Sequence, residues 1–226
     1  MANNFDLQEQ EQLDELKHFW NKWGAPITWA LVVVMGGFAA WNGYQLWQSR
    51  QAGQATALVE AVELAAQGGD MARVEQAFGD LKGGYGGTTQ AGQAGLLAAK
   101  TLADAGKLDA AKGVLAWVAE NSSDDGYKAL ARLRLAGVLM DEKAYDQALA
   151  ELSKPMPIEF AGVAADRKGD VLALQGKNQE AIAEYRRAYL ALGEGVEYRR
   201  LVEAKLNALG AQVQTVAAVS PAGSAQ

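Results

Sequence analysis

From Ala25 to Trp47 the chain carries no charged residue, and apolar side chains fill most positions. A helix needs about 20 mostly apolar residues to cross a hydrocarbon core of roughly 30 Å. The pattern therefore predicts one membrane-spanning helix over residues 25–47, with lipid as its surroundings. Trp29 stands near one end of the run, and Trp41, Tyr44 and Trp47 near the other. Indole and phenol rings favour the headgroup level, where the ring is dehydrated and its N–H or O–H stays wet. Pro26 falls in the expected first turn, where its missing N–H would remove no helical bond. These five residues are the candidate anchor. Before them, residues 1–24 are polar on one side and apolar on the other. Leu13, Leu16, Trp20 and Trp23 fall on one face of a short amphipathic lead-in helix.

After Arg50 the pattern becomes amphipathic with a helical period, and a phrase recurs. A turn is followed by Lys or Asp and then by an Ala-rich helix start, at Gly69-Asp70, Gly106-Lys107, Lys143-Ala144 and Gly176-Lys177. Val74, Ala111, Ala148 and Ala181 follow these turns, separated by 37, 37 and 33 residues. Four residues beyond each stands a large side chain: Phe78, Leu115, Leu152 or Tyr185. Nine residues before each lies Ala65, Leu102, Leu139 or Leu172. A small residue lets the second helix of a unit cross the first closely. The large residue one turn later fills the groove between units. That is the logic of the tetratricopeptide repeat, whose period is about 34 residues. The predicted fold is all-α: one N-terminal transmembrane helix followed by a tetratricopeptide-like α-solenoid over residues 51–210. Gly83-Gly84-Tyr85-Gly86-Gly87-Thr88-Thr89 is expected to be a flexible loop, and Pro155-Met156-Pro157 a helix stop. A final helix over 194–209, with Val196, Leu201, Leu206 and Leu209 inward, would cap the stack. Residues 211–226 are small and uncharged, and a disordered tail is expected there.

Composition narrows the chemistry. There are no cysteines, which removes disulfides, thiolate metal sites and cysteine nucleophiles together. His18 is the single histidine and has no second imidazole to share a metal. The net charge is -6 with both signs interspersed, so no nucleic-acid footprint of clustered Lys and Arg exists. Lys100-Thr101 ends a stretch that resembles a phosphate loop only in outline, because Ala94 and Ala99 fill its two glycine positions. The carboxylate pairs Asp124-Asp125 and Asp166 with Asp170 fit helix capping or a solvated face better than acid–base work. No cofactor, no metal and no enzymatic activity are expected.

A binding surface remains. The first helix of each unit lines the concave face of such a solenoid. Counting back along the repeat places Gln93, Lys100, Asp104, Leu130, Met140, Asp141, Asp166 and Asp170 there as candidate partner contacts. Lys17 and Lys22 precede the span, whereas Arg50 alone follows it closely. That bias favours a cytoplasmic N-terminus and a C-terminal domain on the far side.

The layout resembles the YfgM-like ancillary subunit family of the bacterial SecYEG translocon. The resemblance rests on Glu11-Gln12-Leu13-Asp14-Glu15-Leu16-Lys17-His18-Phe19-Trp20 before Trp23-Gly24, on the span ending Trp41-Asn42-Gly43-Tyr44-Gln45-Leu46-Trp47, and on the repeats that follow. It implies an inner-membrane protein with a periplasmic solenoid. Its implied partners are SecYEG and a membrane-anchored periplasmic chaperone of the PpiD-like kind, and its implied role is a scaffold that assists exported client proteins. Two other readings fit anchor plus repeats: a holdase that binds unfolded chains itself, and a scaffold for envelope or division assembly.

Overall fold

The computed structural model describes residues 7–193 and 195–211. Met1–Asp6 of the expected lead-in and residues 212–226 of the expected tail lie outside them. The chain divides into two units, residues 1–51 and 52–226. The described residues form the α-helices α1 (Leu7–Gln67), α2 (Met71–Tyr85), α3 (Thr89–Asp104), α4 (Leu108–Asn121), α5 (Asp125–Asp141), α6 (Tyr145–Ser153), α7 (Ala161–Leu174), α8 (Asn178–Ala191) and α9 (Tyr198–Ala208). A 3-10 turn, Ile158–Phe160, separates α6 from α7. No strand occurs among the described residues, and one helix, α1, is long and apolar enough to cross a membrane.

In the first unit the apolar run has no protein cover. Leu31 to Met35 and Phe38 are all exposed, Phe38 at 69 % of its surface. A core helix of a soluble protein would bury such residues; this one leaves them for another apolar medium. Pro26 is not in a first turn, since α1 begins upstream of it and Pro26 lies in the helix interior. The sequence pattern placed the helix start at the end of the charged segment, but polar residues 7–24 continue the same helix. Pro26 brings no N–H to Lys22, its partner one turn back. Nearby, the Thr28 hydroxyl donates to the Gly24 carbonyl at 2.7 Å.

The second unit is the repeat stack. The end of α1 pairs with α2, α3 with α4, α5 with α6, and α7 with α8. Each pair is joined by the same turn. Gly69, Gly106 and Gly176 have φ of 68°, 77° and 76°, and Lys143 has φ of 60°. The following N–H returns to the residue five back: Asp70 to Ala65, Lys107 to Leu102, Ala144 to Leu139 and Lys177 to Leu172. This is the Schellman closure, in which a left-handed residue lets the chain leave the helix while its last carbonyls stay bonded. The repeat phrase read in the sequence is thus a backbone device with its hydrophobic partner built in. A fifth closure appears at Gly210, where Ala211 N–H returns to Leu206.

Lys143 is the non-glycine among these turns and the one described non-glycine residue at positive φ. The left-handed region costs an L-residue about 1–2 kcal/mol. Glycine returns about 0.5–1 kcal/mol of that through its freer unfolded chain. Lys143→Gly is therefore expected to stabilise the fold by about 0.5–1 kcal/mol, read as a raised thermal midpoint of the detergent-solubilised protein.

The four small positions and the four large ones of the repeat are all buried, as are Ala65, Leu102, Leu139 and Leu172. Two expectations change. Gly83 and Gly84 lie inside α2, whose last turn is held by fully buried Leu81 and by the Tyr85 hydroxyl donating to Gln54 Oε1 at 3.2 Å. In α9 the inward residues are Val202 and Leu206. Val196 and Leu201 are exposed at 45 % and 48 %, and Leu209 is half-buried. The helix begins at Tyr198, later than expected, and its phase turns Val202 inward in place of Leu201.

Candidate functional site

The first helices of successive units stand side by side: α3 contacts α5, and α5 contacts α7. Their outward residues follow the repeat spacing. Gln93, Leu97, Lys100 and Asp104 on α3 correspond to Leu130, Arg134, Gly137 and Asp141 on α5, and to Val163, Arg167, Asp170 and Leu174 on α7. Thr88 and Asp124 start two of these helices: each side-chain oxygen accepts a backbone N–H, from Ala91 and from Tyr127. Capping of this kind satisfies N–H groups that a helix start leaves unpaired. Asp124 therefore has a structural task, as its neighbourhood in the sequence suggested.

The predicted face residues separate into four groups, one of which is Asp170 alone, half-buried and held by Lys205 and the Tyr185 hydroxyl. Gln93, Lys100, Asp104 and Asp141 are exposed. Lys100 Nζ sits 2.7 Å from Asp104 Oδ2, with both side chains about two-thirds exposed; such a pair adds only a few tenths of a kcal/mol. Leu130 and Met140 are half-buried against the core cluster around Leu133 and Leu139, so neither stands free of the protein. Asp166 is not on the face at all: its exposure is 0 %.

Register explains Asp166. Its equivalents in the two preceding units are Leu133 and Leu96, both buried. The chain has put a carboxylate into a leucine column of the core. Lys205 from α9 reaches Oδ1 and Oδ2 at 2.8 Å, and the Tyr198 hydroxyl donates to Oδ2 at 2.5 Å. Lys205 also bridges to Asp170 Oδ1 at 2.7 Å, and the Tyr185 hydroxyl donates to the same oxygen at 2.8 Å. Burial and then the hydrogen bond to Asp170 push the Tyr185 phenol well above its ordinary value. Burial and the bond to Asp166 do the same for Tyr198. Both rings stay neutral donors. The cluster fastens α9 to α7 and α8, and its partnered carboxylate is a structural group.

Register also adds face residues that the first count omitted. Leu97 lies half-buried between Gln93 and Lys100. Arg134 is exposed and donates to the Leu96 carbonyl at 3.1 Å. Arg167 is exposed, and so is Leu174. Extending the Asp104–Asp141 column by one repeat reaches Leu174, whereas Leu97, Arg134 and Arg167 form a column of their own one turn away. The face that results mixes cations, carboxylates and leucines over three helices. It can grip a polypeptide by many weak contacts. Among the described residues no three His, Asp or Glu side chains converge as metal ligands.

The second-helix side is stitched by ion pairs between units. Lys107 meets Glu75 at 2.9 Å, Lys112 meets Glu142 at 2.7 Å, and Lys154 meets Glu120 at 2.7 Å. The Glu142 carboxylate holds the Lys112 ammonium above its ordinary value, and Lys154 holds Glu120 below its own.

The anchor residues keep their bare surroundings. Trp29, Trp41, Tyr44 and Trp47 are all exposed, with Tyr44 and Trp47 tilted against each other at 6.1 Å between ring centres.

Comparison with known proteins places this architecture. A family model described as a tetratricopeptide repeat-like domain matches residues 17–211. A protein of Neisseria gonorrhoeae named ancillary SecYEG translocon subunit is 36 % identical over 207 residues, covering 90 % of this chain and 98 % of that protein. Proteins of the same name from Escherichia coli and Haemophilus influenzae are 28 % and 25 % identical, covering 76 % and 91 % of this chain and 83 % and 99 % of theirs.

Proposed function

We propose, since this chain belongs to the tetratricopeptide repeat-like family of ancillary SecYEG translocon subunits, that it is a non-enzymatic docking subunit of that translocon. One observation carries the reading. A bare apolar helix precedes a repeat stack whose described side chains present contact surface and no reactive constellation. Lys17 and Lys22 before the span orient the N-terminus to the cytoplasm and the repeats to the periplasm of a bacterial inner membrane. There the concave face, with Gln93, Lys100, Asp104, Arg134, Asp141, Arg167, Asp170 and Leu174, would hold a PpiD-like membrane-anchored chaperone or exported clients. Asp166 has no part in that surface.

The test uses the tagged full-length protein, extracted from native membranes in mild detergent. SecYEG is expected to co-purify. The double variant Arg134→Glu/Arg167→Glu is expected to keep SecYEG and to lose chaperone and client at least severalfold, because two inverted charges oppose a surface that recognises by complementarity. Recovery of the intact protein free of SecYEG would overturn the proposal.

A further inference from the structure

Every helix pair in the stack but the first is covered on its N-terminal side by the unit before it. Unit two shows what that cover does. Ala110, Val114 and Trp117 pack against the cluster formed by unit one, and Gly95 and Ala98 are buried under it. An added Cβ on Gly95 would lie 3.0 Å from the Phe78 ring of unit one and closer still to Val118 of its own unit. The same positions in unit one are Arg73, Ala77, Asp80, Leu58 and Ala61. There they line an open groove of about 680 Å³, together with Leu64 and Asp70. Leu64 is exposed over 70 % of its surface. The corresponding residue of unit two, Thr101, is half-buried.

The stack states the charge of the missing cover. At two of the three ion pairs that join one unit to the next, the later unit supplies lysine and the earlier one glutamate, Lys107 to Glu75 and Lys154 to Glu120. The third runs the other way, Lys112 of the earlier unit to Glu142 of the later, and the unit-one equivalent of Glu142, Gly68, carries no charge. The residue of unit one equivalent to Lys107 is Asp70. The one equivalent to Lys154, two units earlier, is Asp80. Both line the groove. The sign is inverted at the two lysine positions through which a preceding unit would be recognised. The charged residues of the lining are thus two carboxylates, Asp70 and Asp80, and one cation, Arg73. Another unit of this repeat, with glutamates at those places, would be repelled.

We propose that this end of the stack is a docking groove for an amphipathic helix of a partner protein, with leucine-like side chains for the Leu58, Ala61 and Leu64 floor and Lys or Arg opposite Asp70 and Asp80. The inference deepens the docking role proposed above by naming the chemistry of one partner. It stands apart from the concave face, so SecYEG recovery can succeed while the groove fails.

The chain lacks cysteine, which makes a single introduced thiol an unambiguous reporter. Full-length Leu64→Cys protein in phosphatidylcholine nanodiscs is mixed with a synthetic helical peptide that carries an apolar stripe, one cysteine in it, and lysines flanking it. A second peptide has glutamates in place of the lysines. Empty nanodiscs control for lipid uptake. Disulfide trapping is expected to be about tenfold faster for the lysine peptide, the scale that two or three exposed charge pairs provide. Adding Asp80→Lys should erase most of that preference, and Asp80→Asn should lie between. A cysteine in place of exposed Glu120, on another unit, should trap neither peptide above background. Equal trapping of both peptides, or a preference indifferent to Asp80, overturns the proposal. So does rapid Leu64→Cys disulfide dimerisation that excludes peptide, which would make the groove a contact between copies.

Discussion

Lys205→Met is expected to be as damaging to the repeat stack as the loss of a large core side chain. It leaves Asp166 inside the core with one hydroxyl donor, Tyr198, and no counter-charge. Breaking a buried pair by removing one partner costs about 3–5 kcal/mol, because the survivor keeps its desolvation penalty. The reverse change, Asp166→Leu, should cost less, about 3 kcal/mol at most. Lys205 keeps Asp170 and is 24 % exposed, so its charge is still solvated and paired. The triple variant Asp166→Leu/Lys205→Met/Tyr198→Phe continues the leucine column of Leu96 and Leu133 and should recover most of the loss, since apolar replacements of a buried ion pair are often neutral or better.

Location separates this account from a general loss of packing. Hydrogen exchange should place the damage in α7 to α9, because a solenoid passes energy only between neighbours. Equal loss of protection in α2 and α3, or a triple variant no better than Lys205→Met, would sink the assignment.

The repeats were legible because their geometry fixes residue types at fixed offsets. A Schellman turn calls for glycine, a helix crossing calls for alanine, and a groove calls for something large. Gly106, Ala111 and Leu115 meet all three requirements within one short segment. What stayed hidden depended on contacts from far along the chain. Nothing near Asp166 announces a core position; its partners arrive 32 and 39 residues later. A carboxylate reads as a surface residue until its lysine is placed. The phase of α9 was missed because Leu201 and Val202 are adjacent and equally apolar, and only packing on α7 and α8 chooses between them. Gly83 and Gly84 looked like a loop because glycine is a poor helix former, yet tertiary anchoring through Leu81 and Tyr85 outweighs two such residues. The anchor was legible from length and apolarity, and the position of Pro26 was not. Helix starts are weakly marked where polar helical sequence runs directly into apolar.

The second large effect concerns that anchor. Val33 and Phe38 lie near the middle of the uncharged run and are bare of protein contacts. An arginine near the centre of a spanning helix costs about 2.5–3.5 kcal/mol in insertion, so Val33→Arg/Phe38→Arg should oppose insertion by about 5–7 kcal/mol. The parent protein is expected to remain with carbonate-washed membranes, and the double variant to appear in the wash or to be degraded. Ala57→Arg, at an exposed position of the repeat unit, adds one cation without touching the run and should leave partitioning unchanged. The contrast matters because an apolar helix of this length could also be an exposed surface for another protein. A protein interface would lose its partner on arginine substitution, yet the chain would wash free before and after the change alike. Retention of the parent against carbonate and release of the double variant distinguish lipid from protein as the medium that covers Leu31 to Phe38. A parent protein that carbonate removes would leave the repeat stack intact and remove the membrane from its function.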